Sequence, residues 1–213
     1  MTYKKQVDTE HYGSSSHDNL ERFISYFNQK KLVTEACKGI DNASILEIGK
    51  GNGFLYNYLK NNRYNIKSFD IAEDLNPDYV GDILELEKTV NAKFDIVCCF
   101  EVLEHIRYED LPNILGQMSR VANKKVIISV PQSWLYLSFW IKLPIFRPLM
   151  AYLNIPLPLT HKFNGEHYWE LGKKGYSLNN FRKLLKNKFS IEDEFTHPLD
   201  TYHRYFVLNN ERK

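Results

Sequence analysis

The chain has 213 residues, 43% hydrophobic and 25% charged, the proportions of one globular domain with a substantial core. Its 28 Lys and Arg against 26 Asp and Glu leave a net charge of +2, too little to hold a nucleic-acid backbone, so a nucleic-acid binder is disfavoured. The three cysteines, two of them adjacent at Cys98 and Cys99 in an apolar run, exclude a disulfide scaffold and point to a reducing cytoplasm. Residues 1–17 are polar and read as a mobile arm; Lys4 and Lys5 are followed by no apolar run, so no signal peptide is expected. Asp18 is expected to cap a helix over 18–38, because Glu21 stands at N3 and Leu20, Phe23, Phe27, Leu32, Val33 and Ala36 recur at helical spacing. From Ser44 the pattern changes. Apolar runs at 45–48, 66–69, 94–100 and 126–130 alternate with helical stretches at 54–60 and 110–122, which implies an α/β fold with a parallel sheet covered on both faces. The alternation breaks at Trp134–Leu159, an aromatic insertion crowded between prolines; Ser177 then caps a further helix, and strands are expected near 189–195 and 204–208. The whole chain, 1–213, thus reads as a single domain with a core over 40–133, an inserted lobe over 134–172, and a closing helix and hairpin over 173–213.

The chemistry concentrates in Ile45-Leu46-Glu47-Ile48-Gly49-Lys50-Gly51-Asn52-Gly53-Phe54, an apolar strand running into a glycine loop that opens a helix. Glycines permit positive φ and close ligand approach, and the helix start offers free N–H groups, so a nucleotide-like ligand is implied. Dinucleotide enzymes place their third glycine three residues after the second. Here Phe54 holds that slot and the third glycine is Gly53, which makes a nicotinamide oxidoreductase the lesser reading.

These residues resemble the class I S-adenosylmethionine-dependent methyltransferases, whose first motif is an acidic residue followed by Gly-x-Gly-x-Gly. The likeness continues through Phe69-Asp70, Val80-Gly81-Asp82-Ile83, the strand Phe94-Asp95-Ile96-Val97 with Glu101-Val102-Leu103-Glu104-His105, and Val126–Pro131. It implies a Rossmann-like, seven-stranded, mostly parallel sheet in the order 3-2-1-4-5-7-6, with its last strand antiparallel. It also implies S-adenosyl-L-methionine as cofactor, its methionine part on Glu47 and the backbone of Gly49, Gly51 and Gly53, its ribose on Asp70, and its adenine beside Asp82 and Ile83. Lys50 departs from the motif, reaching either the cofactor carboxylate or water.

Methyl transfer to a hydroxyl needs orientation and a base. Glu101, Glu104 and His105 leave the fourth strand at the carboxyl edge where ligands of open α/β sheets collect, and His105 is the candidate base, with Glu101 beside it. Glu-x-x-Glu-His also resembles the metal-binding motif of the small-RNA 2′-O-methyltransferases and the ubiquinone-pathway O-methyltransferases. That likeness implies a divalent metal on Glu101, Glu104 and His105. The segment Thr160–Gly172 carries His161 and His167 among aromatic residues and is the source of a second base or distal ligand, with His167 preferred; alternatively it is a turn-rich connection whose Tyr168 and Trp169 pack on the core. His197 and His203 flank the final hairpin as weaker candidates.

The insertion is too broken to span a bilayer, which takes about 20 apolar residues in a helix. It reads as a lid with an apolar inner face, or as an interfacial segment giving peripheral membrane contact through Trp134–Tyr152. The acceptor expected is a hydroxyl of a small molecule or glycan, lipid-linked if the membrane reading holds. Competing readings are an RNA 3′-end 2′-O-methyltransferase and an inactive cofactor-binding partner module.

Overall fold

The computed structural model describes Tyr3 and residues 19–157 and 159–210. The main sheet has seven strands, β1 (Ser44–Ile48), β2 (Asn65–Asp70), β3 (Tyr79–Val80), β4 (Phe94–Phe100), β5 (Ala122–Pro131), β8 (Ser190–His197) and β9 (Asp200–Asn209). They stand in the order β3-β2-β1-β4-β5-β9-β8, which is the expected order, and β9 runs antiparallel to β5. Strands β6 (Trp134–Ile141) and β7 (Leu149–Pro156) form a separate two-stranded sheet. The helices that cover the sheet are α1 (Leu20–Ala36), α2 (Phe54–Asn61), α3 (Leu86–Val90), α4 (Leu111–Val121) and α5 (Leu178–Lys186); all but the short α3 fall where helical spacing is expected.

A parallel strand covered on both faces must be apolar at both parities, and β1 and β4 are. Leu46, Ile48, Val97 and Cys99 join the core beneath α3, α4 and α5, while Ile45, Ile96 and Cys98 join a second core with Leu32 and Val33 of α1 and Leu55 and Leu59 of α2. The adjacent cysteines therefore bury on opposite sides of the sheet, and all three cysteines are free thiols. Ser177 caps α5 as expected, its Oγ accepting from Asn180 N at 3.2 Å.

Helix α1 departs from expectation at its start. Its N-cap is Asn19, whose Oδ1 accepts from Arg22 N at 2.9 Å; the expected cap, Asp18, lies outside the described residues. Leu20, Phe23 and Phe27 are exposed, whereas Ser25, Asn28 and Gln29 are buried, because this half of the helix lies over a charged group at the end of β4. Only the second half, with Leu32, Val33 and Ala36, buries the predicted apolar stripe.

The arm also needs correction at one point: Tyr3 is held, its hydroxyl donating to Asp110 Oδ2 at 2.5 Å and accepting from Arg107 N at 2.9 Å. The lobe expected over 134–172 divides into the β6–β7 hairpin and a loop running to α5. Among the described residues, no helix is long and apolar enough to cross a membrane.

Candidate functional site

A cavity of about 520 Å³ opens at the carboxyl edge of the sheet, between the ends of β1, β2 and β4, the start of α1, and the β8–β9 turn. Its walls differ in construction. One is backbone. Gly49, Gly51 and Gly53 have φ of +82°, +51° and +72°, conformations that favour glycine. A Cβ at Gly49 would lie 2.2 Å from Val102 Cγ2, so that position excludes side chains by space as well as by angle. Gly49 N donates to Phe69 O at 2.8 Å, tying the loop to β2, and Gly53 caps α2 with no side-chain acceptor. The start of α2 therefore faces the cavity with backbone donors.

The acidic residues around the loop have distinct surroundings. Glu47 is buried with Oε2 unpartnered, and burial, with Asp70 nearby, pushes its pKa up to about 8. Such a group gains most from an incoming cationic donor. Asp70, at the end of β2, accepts from Ala72 N at 2.9 Å and from Gly51 N at 3.4 Å, which aims the carboxylate across the loop. Asp82 caps the turn over Ile83–Glu85, accepting from Leu84 N at 2.9 Å and Tyr3 N at 2.7 Å. Ile83 is buried beside it, and both line the cavity. Lys50 takes neither expected course: Nζ donates to Leu75 O at 2.8 Å and Asn76 O at 2.7 Å, closing the turn after β2.

The opposite wall is built of side chains from distant segments. Glu101 leaves β4 with φ +56° and turns its carboxylate toward α1 and β9. It accepts from Ser25 Oγ at 3.0 Å and Gln29 Nε2 at 3.2 Å, pairs with Arg22, and lies 3.4 Å from His203 Nε2. Burial alone would raise its pKa, but cationic His203 and Arg22, with the Ser25 hydroxyl, hold it well below the usual carboxylate range. His203 sits between Glu101 and Asp200, whose Oδ1 is 2.7 Å from Nδ1; burial opposes its charge, yet the two carboxylates push its pKa up to about 10. Glu101, expected as a catalytic residue and metal ligand, is thus an anchored anion held in this network and stands outside the group formed by its two motif neighbours. The reason is tertiary: α1 delivers three partners that chain proximity to Glu104 could not reveal.

His105 and Glu104 meet a different partner. The ligand atoms of Glu104, His105 and His167 lie within 4.8 Å of one another, so His167 takes the place expected for Glu101. Glu104 is buried with Oε2 unpartnered, and burial raises its pKa to about 7 against the pull of His167. Burial, aided by His167, lowers His105 to about 4, and His105 Nδ1 stands 3.2 Å from Glu166 O. His167 Nδ1 is 3.2 Å from Glu170 Oε1; burial works against its charge, but Glu170 raises its pKa.

The 160–172 loop packs on the core as its second reading expects, and that packing brings His167 to the cavity. Trp169 is fully buried, its Nε1 donating to Ile106 O at 2.9 Å and reaching Leu103 O at 3.2 Å, while Tyr168 N donates to Glu104 O at 2.8 Å. This packing on the turn after β4 is what carries His167 to His105, with ring centroids 5.0 Å apart. His161 is not at the reacting edge: its Nε2 meets His167 O at 2.9 Å and braces the loop from behind. His197 is a turn acceptor for Leu199 N at 3.1 Å. Among the described residues the β6–β7 hairpin lines no part of the cavity, so it is not the expected lid. Arg22, Gln29 and Tyr202 line the cavity without having been foreseen, since nothing in their local pattern separates them from solvated residues.

A family model described as a methyltransferase domain matches residues 17–182. Among solved structures, an S-adenosylmethionine-dependent methyltransferase from Clostridium acetobutylicum aligns with a TM-score of 0.63 at 14% identity, over 95% of this chain and 99% of that one. Glycopeptide N-methyltransferase MtfA with S-adenosyl-L-homocysteine aligns with a TM-score of 0.58 at 10% identity, over 86% and 89%. Magnesium protoporphyrin IX methyltransferase from Synechocystis with bound S-adenosylhomocysteine aligns with a TM-score of 0.56 at 16% identity, over 90% and 84%. No curated protein sequence matches the chain. The sheet order, the glycine loop at its carboxyl edge and the match over most of the sequence agree: the chain belongs to the methyltransferase-domain family.

Proposed function

We propose that the protein transfers the methyl group of S-adenosylmethionine to a hydroxyl of a small molecule or glycan. The observation that carries this reading is the pairing, across one cavity, of a backbone-donor wall bearing the unpartnered Glu47 Oε2 with the Glu104–His105–His167 trio. The glycine loop and the helix it opens fit the methionine part, the N–H groups of the helix's first turn meeting a carboxylate and Glu47 Oε2 accepting from an ammonium. Asp70 suits a ribose diol, since a carboxylate accepts two hydrogen bonds side by side, and Asp82 with Ile83 borders the adenine.

S-adenosylmethionine, when bound, supplies a methyl on a sulfonium, whose in-line transfer to oxygen breaks the C–S bond, leaves the electron pair on sulfur and frees one proton. His105 is kept uncharged at neutral pH by burial and is placed to receive that proton. The acceptor oxygen becomes strongly acidic as the C–O bond forms, so a base of modest strength suffices. Glu104 and His167, whose polar atoms cluster with that of His105, orient the acceptor beside it. The same three residues fit a divalent ion by donor type and by the unpartnered Glu104 Oε2, and such an ion would lower the acceptor's pKa.

Isothermal titration tests the cofactor half: S-adenosylmethionine and S-adenosylhomocysteine should bind at micromolar levels and NAD should not, and the reverse order rejects the reading. Turnover in chelator tests the metal. Loss restored by Mg²⁺, Mn²⁺ or Zn²⁺ supports it, and full activity removes the ion. Methylation of an oligonucleotide with none of any small-molecule or sugar acceptor would replace the acceptor class with RNA.

A further inference from the structure

A strand with one face on a protein core alternates apolar with polar residues. The β6–β7 hairpin does not. Leu135, Leu137, Phe139 and Ile141 on one face and Tyr136 and Trp140 on the other are all between 46% and 59% exposed. At the tip, Ile145 is 91% and Phe146 71% exposed. The strands pair only with each other, from Trp134↔Pro156 to Ile141↔Leu149, so both apolar faces stand clear of the body.

The root, by contrast, is built in. Ser133 N donates to Leu171 O at 2.8 Å and Gln132 N to Tyr202 O at 2.6 Å. The Trp134 ring lies 5.4 Å from the Arg204 guanidinium, and a Cβ at Gly172 would fall 2.0 Å from Trp134 Nε1, so glycine is required beneath that ring. A hairpin fastened this firmly at one end presents its apolar end to something outside the chain.

Charge says what. From Leu111 to Gly165 the sequence has no Asp or Glu, while Lys142 and Arg147 bracket the tip and Lys162 follows β7. Cations beside exposed aromatic and aliphatic residues match the boundary of an anionic membrane, where lysine and arginine meet headgroups and the rings sit at their depth. Pro144 and Pro148 in the tip also remove two N–H groups that such a setting would leave in need of partners.

We propose that the β6–β7 hairpin docks the protein on an anionic lipid bilayer, with the Leu143–Phe146 tip entering the interfacial layer. A second copy in a two-fold contact would cover one face of each hairpin and leave the other wet, whereas a membrane interface surrounds both. The outer edges of the two strands stay at headgroup depth, where water and phosphate satisfy their N–H and C=O groups, so the hairpin docks without spanning. Because the root is bonded to Leu171 and Tyr202, docking tethers to the surface the segments that carry His167 and His203. The docking itself does not depend on the proposed acceptor.

The test is flotation of the full chain with phosphatidylcholine vesicles with and without phosphatidylglycerol. Binding to the anionic vesicles, weakened by salt, is expected. The double variant Ile145→Ser/Phe146→Ser should lose at least about tenfold in binding, since two apolar side chains leave the interface. Lys142→Gln/Arg147→Gln should lose severalfold, on anionic vesicles only. Unchanged S-adenosylhomocysteine affinity and circular dichroism in these surface variants show that the fold is intact, and the readout needs no turnover. No binding to any vesicle, equal binding to neutral vesicles, or binding indifferent to the tip variant overturns the proposal. So does a dimer in sedimentation velocity that the tip variant abolishes while vesicles bind nothing, which would assign the hairpin to a second copy.

Discussion

The two walls of the cavity are made in opposite ways. The glycine wall comes from one contiguous stretch, Glu47–Phe54, and acts through backbone whose shape three positive φ angles set. The facing wall is assembled from α1, the turn after β4, the 160–172 loop and the β8–β9 turn, and acts through side chains. A contiguous site is damaged through its angles, an assembled one through its partners, and the two should fail differently.

The largest effect is expected at the glycine wall. Gly51→Val puts a β-branched residue at φ +51° and walls off the backbone donors, so titration should detect no cofactor binding. Retained micromolar affinity would break the assignment of this wall. His105→Ala should show the converse pattern, with cofactor affinity within severalfold of wild type and turnover lower by about 10²–10⁴, the span of a general base. A parallel loss of affinity would mean that the two walls are not functionally separate.

Asp70→Ala should weaken cofactor binding by about 1–3 kcal/mol, the value of hydrogen bonds to a charged group, and leave the acceptor KM unchanged. The smallest effect is a pH dependence of stability from the charged network. His203 is raised from its ordinary 6.5 to about 10 by Glu101 and Asp200, with Arg22 also facing Glu101. A raised pKa stabilises fully below the unfolded value and is lost as pH rises through the folded one. Urea unfolding should therefore show stability falling by about 1 kcal/mol per pH unit between roughly pH 7 and 9. His203→Gln should flatten that slope, and an unchanged slope would place the titration elsewhere.

Much of the fold is legible in the sequence. Ile45–Ile48 and Phe94–Phe100 carry apolar residues at both parities, a pattern that only a strand buried on two sides requires, and the paired Cys98 and Cys99 do divide between two cores. Glu47, Gly49, Gly51, Asp70 and Asp82 also stand at one cavity, as the resemblance to the methyltransferases implied. Less was legible in α1, where Phe23 and Phe27 have helical spacing yet stay exposed while Ser25 and Gln29 turn inward. Periodicity marks a face, but not what lies opposite it.

Strands, helices and the glycine loop could be read along the chain because they rest on near neighbours, namely periodic burial, backbone angles and a helix start, while the strand order came through the resemblance those motifs carry. Long-range packing settled that Glu101 is claimed by Arg22 and His203, that Trp169 swings His167 to His105, and that Trp134–Pro156 stands away from the cavity it was expected to cover. Each of these depends on which distant charge or carbonyl satisfies a buried polar group. That pairing is settled when segments far apart in the chain are desolvated together, and no local pattern encodes it.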